Sequence, residues 1–163
     1  MSNIVLIGMP GCGKSTIGVI LAKTIGVGFI DTDLIIQQRE NRLLQDIIDS
    51  DGIDFFLDCE EAAVKTVECN NTVIATGGSV VYREDAINHL KINGKIFYLD
   101  VPLDEIKNRL SNISTRGIAA KKNDSIASIF VERESLYRKY ADVIIDLTDC
   151  TVEDAVEKIC KNI

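Results

Sequence analysis

Gly8-Met9-Pro10-Gly11-Cys12-Gly13-Lys14-Ser15 is the stretch on which the reading of this chain turns. It meets the pattern Gly-x-x-x-x-Gly-Lys-Ser/Thr at every defined position. Its glycines let the backbone turn tightly and aim N–H groups at one point, and a helix starting there adds the positive end of its dipole. The loop is therefore suited to a polyphosphate. In such a loop Lys14 reaches the β- and γ-phosphates of ATP and the Ser15 hydroxyl takes a place on Mg2+. Gly8, Gly11, Cys12, Gly13 and Thr16 complete the expected nucleotide cradle. A pattern this short also arises by chance, as a plain glycine-rich turn. Its context argues otherwise, because a β-branched run at 4–7 leads into it and an amphipathic pattern at 14–25 leads out.

The same alternation continues outward. Strand-like runs fall at 4–7, 29–32, 72–75, 95–99 and 142–146, mostly continuous in apolar residues, as central parallel strands covered on both faces should be. Helical patterns fill the gaps at 14–25, 33–40, 43–49, 54–68, 83–90, 103–110, 124–140 and 151–163. The first carries Ile17, Ile20, Leu21 and Ala22 on one expected buried face. Repeated β-α-β order predicts an α/β fold, a three-layer α/β/α sandwich with a parallel sheet and right-handed crossovers. With no repeat or linker, residues 1–163 read as a single domain. The polar stretch 111–123 is long for a passive connection and reads as a functional loop.

The 163 residues carry a formal net charge of −7, which argues against nucleic acid or an anionic membrane as partner. No apolar run approaches membrane-span length, and the N-terminal residues lack the pattern of a signal peptide, so a cytoplasmic protein is expected. Five cysteines without a Cys-x-x-Cys pair, and one histidine, predict free, mostly buried thiols instead of a zinc site or a disulfide framework. Cys12, near a helix N-terminus, could be more acidic than the rest, but plain packing is the simpler expectation.

A phosphate loop alone does not separate kinases, GTPases and ATPases. Asp31-Thr32-Asp33 closes the second strand, where carboxylates should face the loop. One could hold Mg2+ through water while the other orients an acceptor hydroxyl, although Asp33 would also serve as a helix cap. After the third strand, Thr76-Gly77-Gly78-Ser79 offers bare backbone to a ligand.

With these motifs in this order, the chain resembles the shikimate kinase family almost end to end. That family has the same loop, an Asp-x-Asp after the second strand, a Thr-Gly-Gly-Gly turn after the third and a late Arg-x-x-Leu-Tyr helix. Here the last of these reads Arg133-Glu134-Ser135-Leu136-Tyr137. The resemblance implies a P-loop fold like that of nucleoside monophosphate kinases, with five parallel strands, a substrate-binding helical region at about 33–70 and a lid at about 111–123. It implies that Lys14 and Ser15 serve ATP and Mg2+, that Asp31 assists the metal through water and that Asp33 binds the acceptor and acts as base. Gly77, Gly78 and Ser79 would line the acceptor pocket, and Arg133 would meet a carboxylate on it. Arg116 corresponds to a lid arginine over the phosphates and Arg109 to one lying against adenine. Lys14, Asp33 and Arg116 would then be the catalytic set of a monomeric kinase for a small hydroxylated molecule.

Three departures bear on the acceptor. The family's Phe-Arg-x-x-Glu becomes Phe56-Leu57-Asp58-Cys59-Glu60, so Leu57 replaces an arginine that grips the carboxylate of shikimate. Losing such a contact would cost roughly 2–5 kcal/mol with the same ligand. Ser79 replaces the third glycine, and the lid's Arg-Pro-Leu-Leu becomes Arg116-Gly117-Ile118-Ala119, with a shortened path to Arg133. Glu60, deprived of its arginine, would be left with Arg133 as its evident partner. Shikimate is the first acceptor to expect. A less acidic or amino-bearing acceptor is the alternative, and a nucleotide-binding module without acceptor turnover is a further one. Nucleoside monophosphates fit less well, since 34–71 offers only Arg39, Arg42 and Lys65 as basic residues.

Overall fold

A computed structural model describes residues 2–111, 117–120 and 124–163. Five parallel strands form one sheet in the order β2-β3-β1-β4-β5: β1 Asn3–Ile7, β2 Gly28–Asp31, β3 Thr72–Ala75, β4 Gly94–Asp100 and β5 Val143–Asp146. The three-layer α/β/α expectation holds. Central β1 and β3 are buried along their whole length, which is why their sequences are nearly uninterrupted apolar runs. Strand β5, at one edge, alternates between buried and exposed residues.

Around the sheet lie α1 Lys14–Ile25, α2 Thr32–Glu40, α3 Leu44–Lys65, α4 Glu84–Lys91, α5 Leu103–Ser111, α6 Ile126–Tyr140 and α7 Val152–Cys160. A short 3-10 helix, Val80–Tyr82, had no periodic signal in the sequence. Helix α3 joins the two segments expected at 43–49 and 54–68, but Gly52, at φ 86° and ψ 174°, breaks it into two arms. Residue 32 opens α2 instead of closing β2, because the Asp31 side chain accepts the Asp33 N–H and caps the helix there.

The buried face of α1 is Lys14, Ile17, Gly18, Leu21 and Ala22. Ile20, expected on that face, is exposed; Gly18 takes its place because a Cβ there would stand 2.7 Å from the Phe29 ring. The cysteines are free as expected, but only Cys12 is buried and the other four are half-buried. Among the described residues no helix is long and apolar enough to cross a membrane.

Strand order gives the site its place. From central β1 the chain crosses through α1 to β2 at one edge, returns to β3, and later builds β4 and β5 on the other side. The carboxyl end of β1 is thus the point where the sheet's winding reverses, and a crevice opens there.

Candidate active site

The phosphate loop occupies that crevice. Gly8, Gly11 and Gly13 all have positive φ (147°, 80° and 98°), which folds the loop over the N-terminus of α1. A Cβ on Gly8 would stand 2.9 Å from both the Leu99 carbonyl and Cys12 Sγ, so this glycine and the buried Cys12 fill the loop's floor. Lys14 lies buried across the loop, its Nζ donating to the carbonyls of Gly8 at 2.8 Å and Met9 at 2.9 Å. Those bonds hold the ammonium over the mouth of the helix, where phosphate charge is to be met.

Ser15, the first exposed residue of α1, donates its hydroxyl to Asp31 Oδ2 at 2.6 Å. The same carboxylate caps α2 through Oδ1 at 3.0 Å. Two hard oxygen donors sit together beside the loop, one of them held rigidly by the cap. That set fits Mg2+, which keeps most of its waters and takes one or two protein ligands plus phosphate oxygens. A dedicated cage is not needed, and no cluster of three metal-binding side chains occurs among the described residues.

A cleft of about 680 Å³ runs past the loop. On one side it is walled by Gly11, Cys12, Gly13, Ser15, Thr16 and Arg109, then by Leu147, Cys150, Thr151, Val152 and Ala155. Arg109 is anchored over the loop, its Nη1 donating to the Gly11 carbonyl at 3.1 Å and its other arm paired with Glu105. The wall from the β5–α7 connection and α7 has no signal in the sequence, since its residues are small or apolar and carry no chemical signature.

On the other side the walls are Asp33, Gln37, Leu44, Phe56, the turn Thr76 to Ser79, Ile118, Ala119 and Arg133. Gly77 and Gly78 do not have positive φ. They are glycines because there is no space for a side chain. A Cβ on Gly77 would overlap Glu60 Oε1 and come within 2.9 Å of Asp33 Oδ1; one on Gly78 would stand 2.7 Å from the Pro10 ring and 3.1 Å from Arg133 Nη1. Arg133 is buried and oriented by Tyr82, whose hydroxyl accepts from Nε at 3.2 Å and whose ring lies 5.1 Å from the guanidinium carbon. Its Nη2 donates to the Ala119 carbonyl at 2.5 Å. Tyr137 donates to the Gly78 carbonyl at 2.5 Å, and burial keeps that hydroxyl protonated.

Two residues expected on this side stand differently. Leu57 does not line the cleft; it packs with Ile36, Ile47, Phe56, Ala63 and Ala119 in a second apolar cluster. Glu60 does not pair with Arg133. Its partner is Ser79, whose hydroxyl donates to Oε2 at 2.7 Å, while Oε1 has no hydrogen-bond partner among the described residues. A serine hydroxyl thus stands against a carboxyl that has no cationic partner within salt-bridge distance among the described residues. Tyr82 carries no sequence signal, and Tyr137 and Pro10, though inside recognised motifs, show no role there, because all three act through contacts between distant segments. Arg116 lies outside the described residues.

The chain matches the family model described as shikimate kinase over residues 10–163. It is 36% identical over 161 residues to the shikimate kinase of Clostridium botulinum, covering 98% of this chain and 96% of the relative. Among solved structures, that of the shikimate kinase from Aquifex aeolicus superposes with a TM-score of 0.83 at 31% identity, covering 98% of this chain and 94% of the other. The structure of the shikimate kinase from Acinetobacter baumannii in complex with shikimate superposes with a TM-score of 0.87 at 25% identity, covering 99% and 92%.

Proposed function

The chain belongs to the shikimate kinase family, and from that premise we propose that it transfers the γ-phosphoryl group of ATP to a hydroxyl of shikimate. One observation carries the assignment to this cleft. The Lys14 ammonium, the Ser15–Asp31 pair and Asp33 gather around one crevice whose lining also includes the buried Arg133. Pure nucleotide binding would need neither Asp33 nor a buried arginine opposite the phosphate loop.

In this reading Lys14 and the loop N–H groups stabilise charge on the phosphoryl oxygens during in-line transfer. Ser15 and, through water, Asp31 would hold Mg2+, which neutralises the phosphate oxygens when bound. Asp33 aligns the attacking hydroxyl and takes its proton. Arg133, with Nη1 beside the bare Gly78 backbone, receives the acceptor's carboxylate. Thr16 and Arg109 would line the nucleotide's path. The acceptor region would be 33–70. The resemblance assigns lid closure, with Arg116, to 111–123, of which Gly117 is described pressing on α3: a Cβ there would stand 2.5 Å from Leu44 Cβ. A monomer as the working unit and a cytoplasmic location complete this reading.

The test is ADP release from MgATP with and without shikimate. Release that depends on shikimate and saturates with it is expected. Equal release with and without it would overturn the proposal.

A further inference from the structure

Two departures from the family pattern meet on one side chain. Glu60 follows Leu57 by three residues on α3, so an arginine at 57 would stand beside its carboxylate and hold it ionised. Leu57 instead turns into the apolar cluster. Among the described residues the carboxyl keeps one hydrogen bond, from Ser79 to Oε2, and Oε1 abuts Gly77, itself a wall of the acceptor side.

Among the described residues, the charged groups facing this carboxyl are Asp33 from α2, Arg133 from α6 and Lys14 at the start of α1. Tyr82, from the 3-10 helix, hydrogen-bonds to Arg133. Burial pushes Glu60 up, the Ser79 hydroxyl pulls it down, Asp33 pushes it up, and Arg133 and Lys14 pull it down; the balance leaves it at about 7.

Resting on the kinase reading above, we propose that Glu60 is a specificity-determining residue of the acceptor site: its protonated form admits an acceptor bearing a carboxylate, and its ionised form favours a neutral or amine-bearing one. The reason is charge balance in a buried place. With Glu60 neutral, the positive charge of Arg133 is less offset and meets an acceptor's carboxylate more strongly. With Glu60 ionised, a second negative charge stands behind Gly77, and poor screening there makes it repel an anion and attract an ammonium.

The decisive measurement is shikimate affinity by calorimetry, without nucleotide, from pH 6 to pH 8.5. It is made on the native protein, Glu60→Gln and Ser79→Ala, with KM and kcat measured in parallel. Native affinity should fall about tenfold between pH 6 and pH 8 while kcat does not follow it. Glu60→Gln should be flat across that range. Ser79→Ala should keep the curve but move its midpoint to higher pH, because the hydroxyl stabilises the ionised form. A flat native curve, or a Glu60→Gln variant that retains the native slope, overturns the proposal. Carbon-13 NMR of the glutamate carboxyls supplies a readout that needs neither acceptor nor variant. Titration of Glu60 near the ordinary glutamate value would also overturn the proposal, whereas lack of shikimate binding at every pH, with Glu60 titrating near 7, would count against the functional reading instead.

Discussion

The nucleotide side and the acceptor side of the cleft are held together by different means. On the nucleotide side the working parts are mostly main chain: three glycines at positive φ, a helix N-terminus, two loop carbonyls tethering Lys14, and one Ser15–Asp31 hydrogen bond. On the acceptor side they are side chains from α2, α3, the turn after β3 and α6, with Ser79 set against Glu60, Tyr82 against Arg133 and Tyr137 against the Gly78 carbonyl. Backbone geometry leaves little room for substitution, because few residues tolerate positive φ. Side-chain networks leave more room, because a partner such as Ser79 at Glu60 can be exchanged for another that answers the same charge. Within one fold, then, the part that handles ATP is constrained residue by residue, and the part that chooses the acceptor is constrained only in its balance of charge and volume.

The sharpest way to break that comparison is Asp33→Asn, which sits where the two sides meet. If the carboxylate serves only the acceptor, turnover should fall about 10²–10⁴-fold, the range expected for a lost general base. ATP affinity should stay within a factor of two or so, since the Lys14 and Ser15–Asp31 contacts do not involve the Asp33 carboxylate. Steady-state kinetics with calorimetry for ATP would check both. A large loss of ATP affinity would make Asp33 part of the metal site and erase the division between the sides.

A smaller effect is expected at Glu60, read through stability instead of activity. Its folded-state pKa of about 7 lies above the ordinary 4.5, so the folded chain keeps a proton that the unfolded chain has released. Stability should therefore decline as pH rises from about 4.5 through 7, with the penalty complete above that. Glu60→Gln removes the titration. Urea unfolding should show the variant close to the native protein at pH 5 and more stable than it at pH 8.5, by on the order of 2–3 kcal/mol. Equal differences at both pH values would mean that the carboxyl is ionised throughout and that Ser79 alone suffices to keep it so.

The same contrast explains what was legible in the sequence. The fold could be read because strand-sized apolar runs alternate with helical periods, and because the glycine loop marks the end of β1. Lys14, Ser15, Asp31 and Asp33 were legible for the same reason: they belong to short contiguous motifs next to strand ends. Gly77 and Gly78 were legible as bare backbone, but not for the crowding that also requires them. Their lack of side chains makes space for Glu60, Asp33, Pro10 and Arg133, and no local pattern reports a contact between residues 17 and 68 positions apart. Leu57 was noticed only through the resemblance, and its turn away from the cleft follows from α3 packing against α2, where Ile36 waits. Ile20 failed more simply, because Gly18 lets α1 approach Phe29 so closely that the helix rolls Ile20 outward.

The mildest test lies at Arg109, on the nucleotide side but outside its backbone core. Its guanidinium is half-exposed, paired with Glu105 and donating to the Gly11 carbonyl, so much of its charge is already answered or screened. If it lies against the adenine, Arg109→Ala should raise KM for ATP only a few-fold, about 1 kcal/mol or less, with kcat and the acceptor's KM unchanged. Yet Nη1 also stands 3.9 Å from where a Cβ on Gly13 would be, next to the mouth of the phosphate loop. From there a modest swing away from Glu105 would bring it to the phosphates. A drop in kcat of a hundredfold or more would place it there, and the nucleotide side would then depend on a mobile side chain as well as on its main chain. Repeating the measurement with GTP separates the two cases, because a base contact should discriminate between the purines and a phosphate contact should not.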